Sequence, residues 1–281
     1  MKKILLATTA LVASAGFAMA DGNITWTGSA NVGMKYSDNG TTRLHEEIDL
    51  GAAVSGETDD GISWTVEMGL DSSMTDSTAG ADGVDGGSVA LSGDFGTIKV
   101  GNVSTAGTTI GVVDVGFDAL GIDDAAELGN NAGGGHDLRW KYAMDDIALD
   151  VSFDTSDDDM AVAMNWASGT LAIGISHSAE GATNGASATA AKVSTSVGGF
   201  SVELMAGSHS TANFDSVGMS ASMPMDGLGT VTFVTGSNDT DAKSSYGVGF
   251  SKALGGGATL AGAYGSANGN DKADLGIKLA F

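Results

Sequence analysis

The chain has 281 residues, no cysteine, one proline, 44 glycines and a formal net charge of −23 at pH 7. Such an acidic chain repels phosphate backbones, which argues against nucleic-acid binding and favours cationic ligands or divalent ions. Without cysteine, a fold held together by disulfides is excluded.

Residues 1–20 have the three parts of a secretory signal peptide. Two lysines precede an apolar stretch from Ile4 to Phe17, and Ala18-Met19-Ala20 forms a small-residue cleavage site. The apolar stretch is shorter than the roughly 20 residues that a membrane-spanning helix needs. We therefore expect cleavage before Asp21, which removes two basic residues and leaves residues 21–281 with a net charge of −25.

The remaining chain divides into about sixteen short segments in which apolar and polar residues alternate. Clear examples are Ile24–Tyr36, Ile62–Leu70 and the last segment, Ala273–Phe281. Successive side chains of a β-strand point to opposite faces, so strict alternation indicates strands that separate an apolar from a polar environment. Short glycine-rich turns alternate with longer polar loops, one of them predicted from Asp71 to Gly86, as in an up-and-down sheet that crosses a membrane repeatedly.

The polar faces of these segments consist mainly of Thr, Ser, Gly, Asp and Lys, which are too hydrophilic for a dry core between two sheets. In lipid every backbone polar group must be paired internally, so the sheet must close on itself. The sequence therefore predicts an all-β fold: a transmembrane antiparallel up-and-down β-barrel of about 16 strands. A barrel of this size is wide enough to enclose an aqueous channel.

One connection is much longer than the others, and follows the fifth predicted strand. It covers residues 103–136, and a connection of that length in a compact domain is usually functional. Apolar and acidic side chains alternate irregularly along it, which predicts a loop that packs against another part of the protein. The apolar ones are Ile110, Val112, Val113, Val115, Phe117, Leu120 and Ile122.

Three segments carry a resemblance to a known family: Leu91–Gly101 (LSGDFGTIKVG), Tyr246–Gly262 (YGVGFSKALGGGATLAG) and the ending Ala273–Phe281. With these segments and its whole alternating pattern, the mature chain resembles the general diffusion porins of Gram-negative bacteria, most closely the short alphaproteobacterial type of purple photosynthetic bacteria. The resemblance implies sixteen strands in each barrel, a homotrimer, and a third loop, here 103–136, that folds into the lumen. It also implies that the terminal Phe281 is the signal read by the outer-membrane assembly machinery.

In the family, acidic groups of the inward loop face basic groups of the wall and constrict the pore. By resemblance, the acidic side of this constriction is expected at Asp114, Asp118, Asp123, Asp124 and Glu127. The basic side is expected at Lys35, Arg43, Lys99, Arg139, Lys141 and Lys278. The chain departs from the family pattern in having only two arginines where a dense cluster is usual.

Calcium is the one candidate ligand ion, because carboxylate oxygens suit it and acidic residues are grouped in the loop. The candidate ligands are Asp123, Asp124 and Glu127; acidic runs of this kind are also common in hydrated loops. The four histidines have no spacing typical of a metal site. No GxSxG motif or serine, histidine and acid arrangement is present, so we expect neither enzymatic activity nor a cofactor.

These observations together predict an outer-membrane porin: a water-filled channel for passive diffusion of small hydrophilic solutes and ions. The acidity of the chain predicts a preference for cations. Its expected surroundings are outer-membrane lipid and lipopolysaccharide. The alternative is a structural or adhesive outer-membrane barrel with an occluded lumen, which bilayer conductance distinguishes from a channel.

Overall fold

The computed structural model describes residues 23–37, 40–75, 78–79, 83–127, 135–180, 185–210 and 214–281. The predicted signal peptide, residues 1–20, lies outside this part of the chain, as does the predicted mature start at Asp21. The long loop is described up to residue 127 and again from residue 135.

Strands make up almost all of the described chain, because the alternating segments give the backbone one face for each of two environments. The strands are β1 (Asn23–Ser37), β2 (Thr41–Glu57), β3 (Ser63–Thr75), β4 (Thr78–Ala79), β5 (Gly83–Gly93), β6 (Gly96–Val103), β7 (His136–Met144), β8 (Ile147–Asp154), β9 (Asp159–Ser168), β10 (Leu171–Ala179), β11 (Ser187–Val197), β12 (Phe200–His209), β13 (Phe214–Met225), β14 (Gly229–Asn238), β15 (Ser245–Gly255), β16 (Ala258–Ala267) and β17 (Asn270–Ala280).

The sheet closes into a barrel because its first and last strands pair with each other. Each strand pairs antiparallel with its neighbour in sequence, except that β3 pairs with both β5 and the two-residue β4. β1 pairs with β17, and the backbones of Gly28 and Phe281 extend this seam with two hydrogen bonds of 2.7 and 3.0 Å. Leaving out β4, sixteen strands form the ring, which confirms the predicted closed antiparallel barrel.

The outer face of the barrel is apolar. On β6, Ile98 and Val100 point outward and are exposed, whereas Lys99 between them points to the other side of the wall. The same alternation places Val66, Met68 and Leu70 on the outer face of β3. These side chains form an exposed apolar surface that would promote aggregation in water. They match the lipid-facing band of a transmembrane barrel.

Aromatic side chains mark the two rims of the outer face. The barrel end that holds the chain termini carries all four tryptophans, and the opposite end, here called the loop end, carries three of the four tyrosines. The tryptophans are Trp26, Trp64, Trp140 and Trp166, and the tyrosines are Tyr36, Tyr246 and Tyr264. Amphipathic rings at both rims are typical of the two membrane interfaces.

Several strands are longer than the alternation indicated. β3 continues to Thr75 and β5 begins at Gly83, although the sequence predicted a polar loop from Asp71 to Gly86. Backbone pairing extends past the apolar band because, beyond the bilayer, both faces of a strand meet water and alternation is no longer required. The prediction that the polar loop covers all of Asp71–Gly86 was therefore wrong.

Helical structure within the described residues is confined to the long loop, in a 3₁₀ turn (Ala106–Thr109) and a one-turn helix α1 (Asp124–Glu127). No helix in this part of the chain is long and apolar enough to span a membrane. The main buried apolar cluster joins the loop to the wall, rather than two sheets to each other. It comprises Ile110, Val112, Val115, Leu120, Ile122 and Ala126 of the loop with Ala190, Met205 and Val234 of the strands.

Candidate functional site: the long loop and the inner wall

The loop begins with an anchor on the inner wall. The Arg139 guanidinium on β7 donates to both Ser104 acceptors, the backbone carbonyl at 2.9 Å and the side-chain hydroxyl. One residue after Thr105, the backbone N–H of Ala106 donates to Ser152 Oγ on β8 at 2.8 Å. These bonds turn the chain away from the direction of β6, so that the 3₁₀ turn lies against β8, β9 and β10.

The apolar side of the loop packs on positions where the inner wall has glycine. Ile110 fills the space beside Gly174, where an added Cβ would lie 2.5 Å from its Cδ1 atom. Val115 lies in the same way over Gly249, at 2.8 Å, and Ala126 over Gly218, at 2.4 Å. Any larger residue at these wall positions would displace the loop.

The tip of the loop reaches the seam of the barrel. Phe117 is fully buried between Gly276 of β17 and Gly33 of β1, and its ring meets the ring of His45 edge to face at 5.7 Å. The backbone N–H groups of Phe117 and Asp118 donate to Asp274 Oδ2 at 3.0 and 3.3 Å. The Asp118 carboxylate forms an ion pair with Lys35 on β1. The tip is thus held by packing, backbone hydrogen bonds and charge together.

The second half of the loop returns along the opposite strands. Lys272 Nζ donates to the carbonyl of Leu120 at 2.9 Å, and Ser216 Oγ donates to that of Ala126 at 2.6 Å. Asn238 Nδ2 donates to the carbonyl of Ala125 at 3.0 Å. The helix α1 accordingly lies against β12, β13 and β14.

The acidic residues of the loop lie close enough to one another to repel. Burial and, after it, the carboxylates of Asp114, Glu127 and Asp124 together raise the pKa of Asp123 to about 8. Two of these carboxylates also accept hydrogen bonds from the backbone of the loop. Asp114 accepts from the N–H of Gly121 at 2.6 Å, and Glu127 Oε1 accepts from that of Val112 at 3.0 Å.

The six basic residues expected at the constriction divide into different environments. Lys35 contacts a loop acid, whereas Arg139 is buried and makes a bidentate pair with Asp150 of β8, at 2.8 and 2.5 Å. Lys99 pairs with Glu67 of β3 at 2.7 Å, across the inner wall. Arg43 is half-buried and lies opposite Lys35 in the β1–β2 register; Lys141 and Lys278 are exposed.

Five wall residues that the sequence did not single out contribute to this site: His45, Glu47, Glu67, Asp150 and Asp274. Each lies on the polar face of its strand. His45, Glu47 and Asp274 lie close to the tip of the loop, whereas Asp150 and Glu67 pair with the bases Arg139 and Lys99 of nearby strands. A signal for the loop's contact surface was present in the sequence, as glycine recurs on the inward parity of the later strands. These inward glycines are Gly174, Gly218, Gly236, Gly247, Gly249, Gly265 and Gly276.

Two groups of three side chains within the described residues bring ligand atoms within 4.8 Å of one another. The groups are His45, Glu47 and Asp118, and Glu47, Asp49 and Asp71. Neither is the set predicted to bind calcium, in which the Asp124 side chain is exposed and Glu127 bonds to the loop backbone. The calcium site in the loop stays a prediction.

The comparisons with known proteins agree with this architecture. The sequence profile described as Gram-negative porin matches residues 7–278. A triple mutant of the Rhodopseudomonas blastica porin is 18% identical and superposes with a TM-score of 0.80, and another mutant of that porin, also 18% identical, gives 0.79. Both comparisons cover 92% of this chain and 100% of the other. No curated protein sequence matches the chain.

Proposed function

Because the chain belongs to the Gram-negative porin family, we propose that its barrel is a water-filled channel through which small hydrophilic solutes and ions diffuse passively. The protein is a multi-pass β-barrel of the Gram-negative outer membrane, and its family and fold indicate a channel rather than an enzyme. The proposal requires an open, water-filled lumen, whereas the lumen of the alternative, an adhesive barrel, would be occluded.

The observation that carries the proposal is the solvated charge on the inner wall. The Lys99–Glu67 pair leaves 34% and 39% of its two side chains exposed, although both point inward from neighbouring parts of a closed sheet. Lys141, on the same inward face of β7, is also exposed. A charge is expensive to bury without full compensation, so these exposed charges support a lumen that contains water in this sector.

We also propose that cations pass more readily than anions. Four inner-wall bases lie in ion pairs, namely Lys35, Lys99, Arg139 and Lys192, each with an acidic partner. Besides burial, the carboxylates of Asp114, Glu127 and Asp124 raise the pKa of Asp123, and this grouping of carboxylates supports a negative potential at the loop. A passing cation is attracted by such a potential and an anion is repelled.

Three further expectations follow from the family and belong to this proposal: a homotrimer, a surrounding of lipid and lipopolysaccharide, and recognition of Phe281 by the assembly machinery. In support of the last, the Phe281 ring is 67% exposed and lies over Gly28 on the outer face. Gel migration before and after heating tests the trimer. A folded trimer should migrate as a large species before heating and as a monomer after heating.

Planar-bilayer recording of the purified protein tests the channel and its selectivity. We expect ohmic single-channel events and, across a potassium chloride gradient, a reversal potential of the sign that cation preference gives. Asp124→Asn should reduce that preference, whereas Asp94→Asn, the same change in the short β5–β6 turn, should leave it unchanged. Absence of channel events would favour the adhesive barrel, and a reversal potential of anionic sign would contradict the cation preference.

A further inference from the structure

The contact between the loop tip and β2 contains three side chains with metal-binding atoms. His45 Nε2 lies 3.1 Å from Asp118 Oδ2 and 3.8 Å from Glu47 Oε2. His45 and Glu47 are two residues apart on one strand and therefore share its inward face, while Asp118 comes from the loop. The group exists only when the loop tip is docked on the wall.

His45 is buried without the hydrogen bonds that a buried imidazole normally makes. Its side chain is 7% exposed, and neither ring nitrogen has a hydrogen-bond partner among the residues that the structure describes. The approach of Nε2 to Asp118 is short, but its direction does not suit a hydrogen bond. Leaving buried polar atoms unpaired is costly, so an imidazole aimed at two carboxylates indicates a ligand between them.

The distances suit a small transition-metal ion. Zinc bonds of about 2.0–2.1 Å to nitrogen and about 2.0–2.2 Å to oxygen, arranged tetrahedrally, separate neighbouring ligand atoms by roughly 3.4 Å. The observed separations of 3.1 and 3.8 Å lie on either side of that value. One imidazole and two carboxylates form a ligand set used for zinc and related divalent ions, whereas calcium takes oxygen ligands.

We propose that His45, Glu47 and Asp118 bind a divalent transition-metal ion, with zinc as the representative, and that the ion fastens the loop tip to β2. This site is separate from the predicted calcium site, which involves residues 123–127 of the returning half of the loop. Glu47 also belongs to the second acidic group, with Asp49 and Asp71, which adds negative charge beside the proposed ion.

Lys35 is the competing cation at this site, because its ammonium group pairs with the same Asp118 oxygen. The Lys35 side chain is 34% exposed and can turn into the lumen when an ion takes its place. This competition gives the proposal an expected result that a purely structural role of Lys35 would not give. Removing the lysine should strengthen metal binding, whereas a lysine that merely stabilises the loop would leave metal affinity unchanged or reduce it.

The test is equilibrium titration of zinc into the folded, detergent-solubilised protein after treatment with a chelator. Wild type should bind one zinc ion per chain more tightly than it binds any further zinc ion. His45→Gln and Glu47→Gln should each lower the zinc affinity of that site by more than about tenfold. Lys35→Met should tighten it. The matched control is His177→Gln, on an exposed histidine of β10 whose Nδ1 atom bonds to Thr189 at 2.8 Å.

Heat-modified gel migration confirms that each variant is folded, so a loss of binding cannot be attributed to misfolding. Zinc should remain bound in excess calcium, because calcium does not favour an imidazole ligand. The proposal is overturned if wild type shows no saturable site, if His45→Gln and His177→Gln bind alike, or if calcium displaces zinc at equal concentration. None of these readouts depends on whether the barrel conducts.

Discussion

Replacing Phe117 with alanine tests how firmly the loop is held against the wall. The side chain is fully buried between Gly33 and Gly276 and against the ring of His45. Truncating a buried phenylalanine costs about 3–5 kcal/mol in protein cores. At the lower value of about 3 kcal/mol, the population of the undocked loop should rise roughly a hundredfold, since about 1.4 kcal/mol corresponds to a factor of ten.

Limited proteolysis of the folded protein measures that population. When the loop opens and closes faster than it is cut, the cleavage rate follows the equilibrium population of the open form. Thermolysin is suitable because it cuts before apolar residues, whereas residues 103–127 contain no lysine or arginine for trypsin. Mass spectrometry of the fragments identifies cleavage near Leu120 or Ile122, both of which are buried when the loop is docked.

Val113→Ala is the matched control, because Val113 lies in the same loop but is 45% exposed. A change of an exposed side chain should alter the docking free energy by no more than about 0.5 kcal/mol. We expect fast cleavage of Phe117→Ala and a nearly unchanged rate for Val113→Ala. Equal cleavage rates in the two variants would refute the account of the loop as a docked element.

Three other changes give distinct expected results. Gly276→Val should undock the same tip, because an added Cβ would lie 2.6 Å from the Phe117 ring; thermolysin cleavage as slow as in wild type would count against this contact. Arg139→Met should cost about 3–5 kcal/mol in denaturant unfolding by leaving Asp150 buried and unpaired, and adding Asp150→Leu should restore most of it; an equally unstable double variant would contradict the pairing argument. Asp123→Asn should stabilise the protein increasingly between pH 4 and pH 8, because the raised pKa of Asp123 costs the wild type stability as pH rises through that range. Screening by water limits this last gain to about 1 kcal/mol, and a gain at pH 4 equal to that at pH 9 would show that carboxylate repulsion is not its cause.

The sequence predicted the barrel well because its physical signal is local and repeated. In each strand, apolar residues that face lipid alternate with polar residues that face water, as Ile98 and Lys99 do in β6. Closure then follows from the need to pair every backbone group in the bilayer. The extended ends of β3 and β5 escaped prediction, since a strand surrounded by water on both faces carries no alternating pattern.

The partners of the charged residues could not be read from the sequence in the same way. Asp118 meets Lys35 and His45 only because the loop crosses to the seam between β17 and β1, which are the last and first strands. Arg139 was expected to face the loop acids, but its guanidinium pairs with Asp150 of the adjacent strand and also bonds to Ser104 at the loop's start. Strand parity tells which face a side chain occupies, and tertiary structure alone tells which charge it meets.

Thiol labelling of two adjacent positions tests the central claim, that each strand separates lipid from a hydrated bore. The natural chain has no cysteine, so Lys99→Cys and Ile98→Cys would each introduce a single thiol, on the inner and outer faces of β6. In membrane vesicles, a charged, membrane-impermeant thiol reagent should label the cysteine at position 99 rapidly and the one at position 98 slowly. Equal rates, or faster labelling at position 98, would contradict a wall with water on its inside and lipid on its outside.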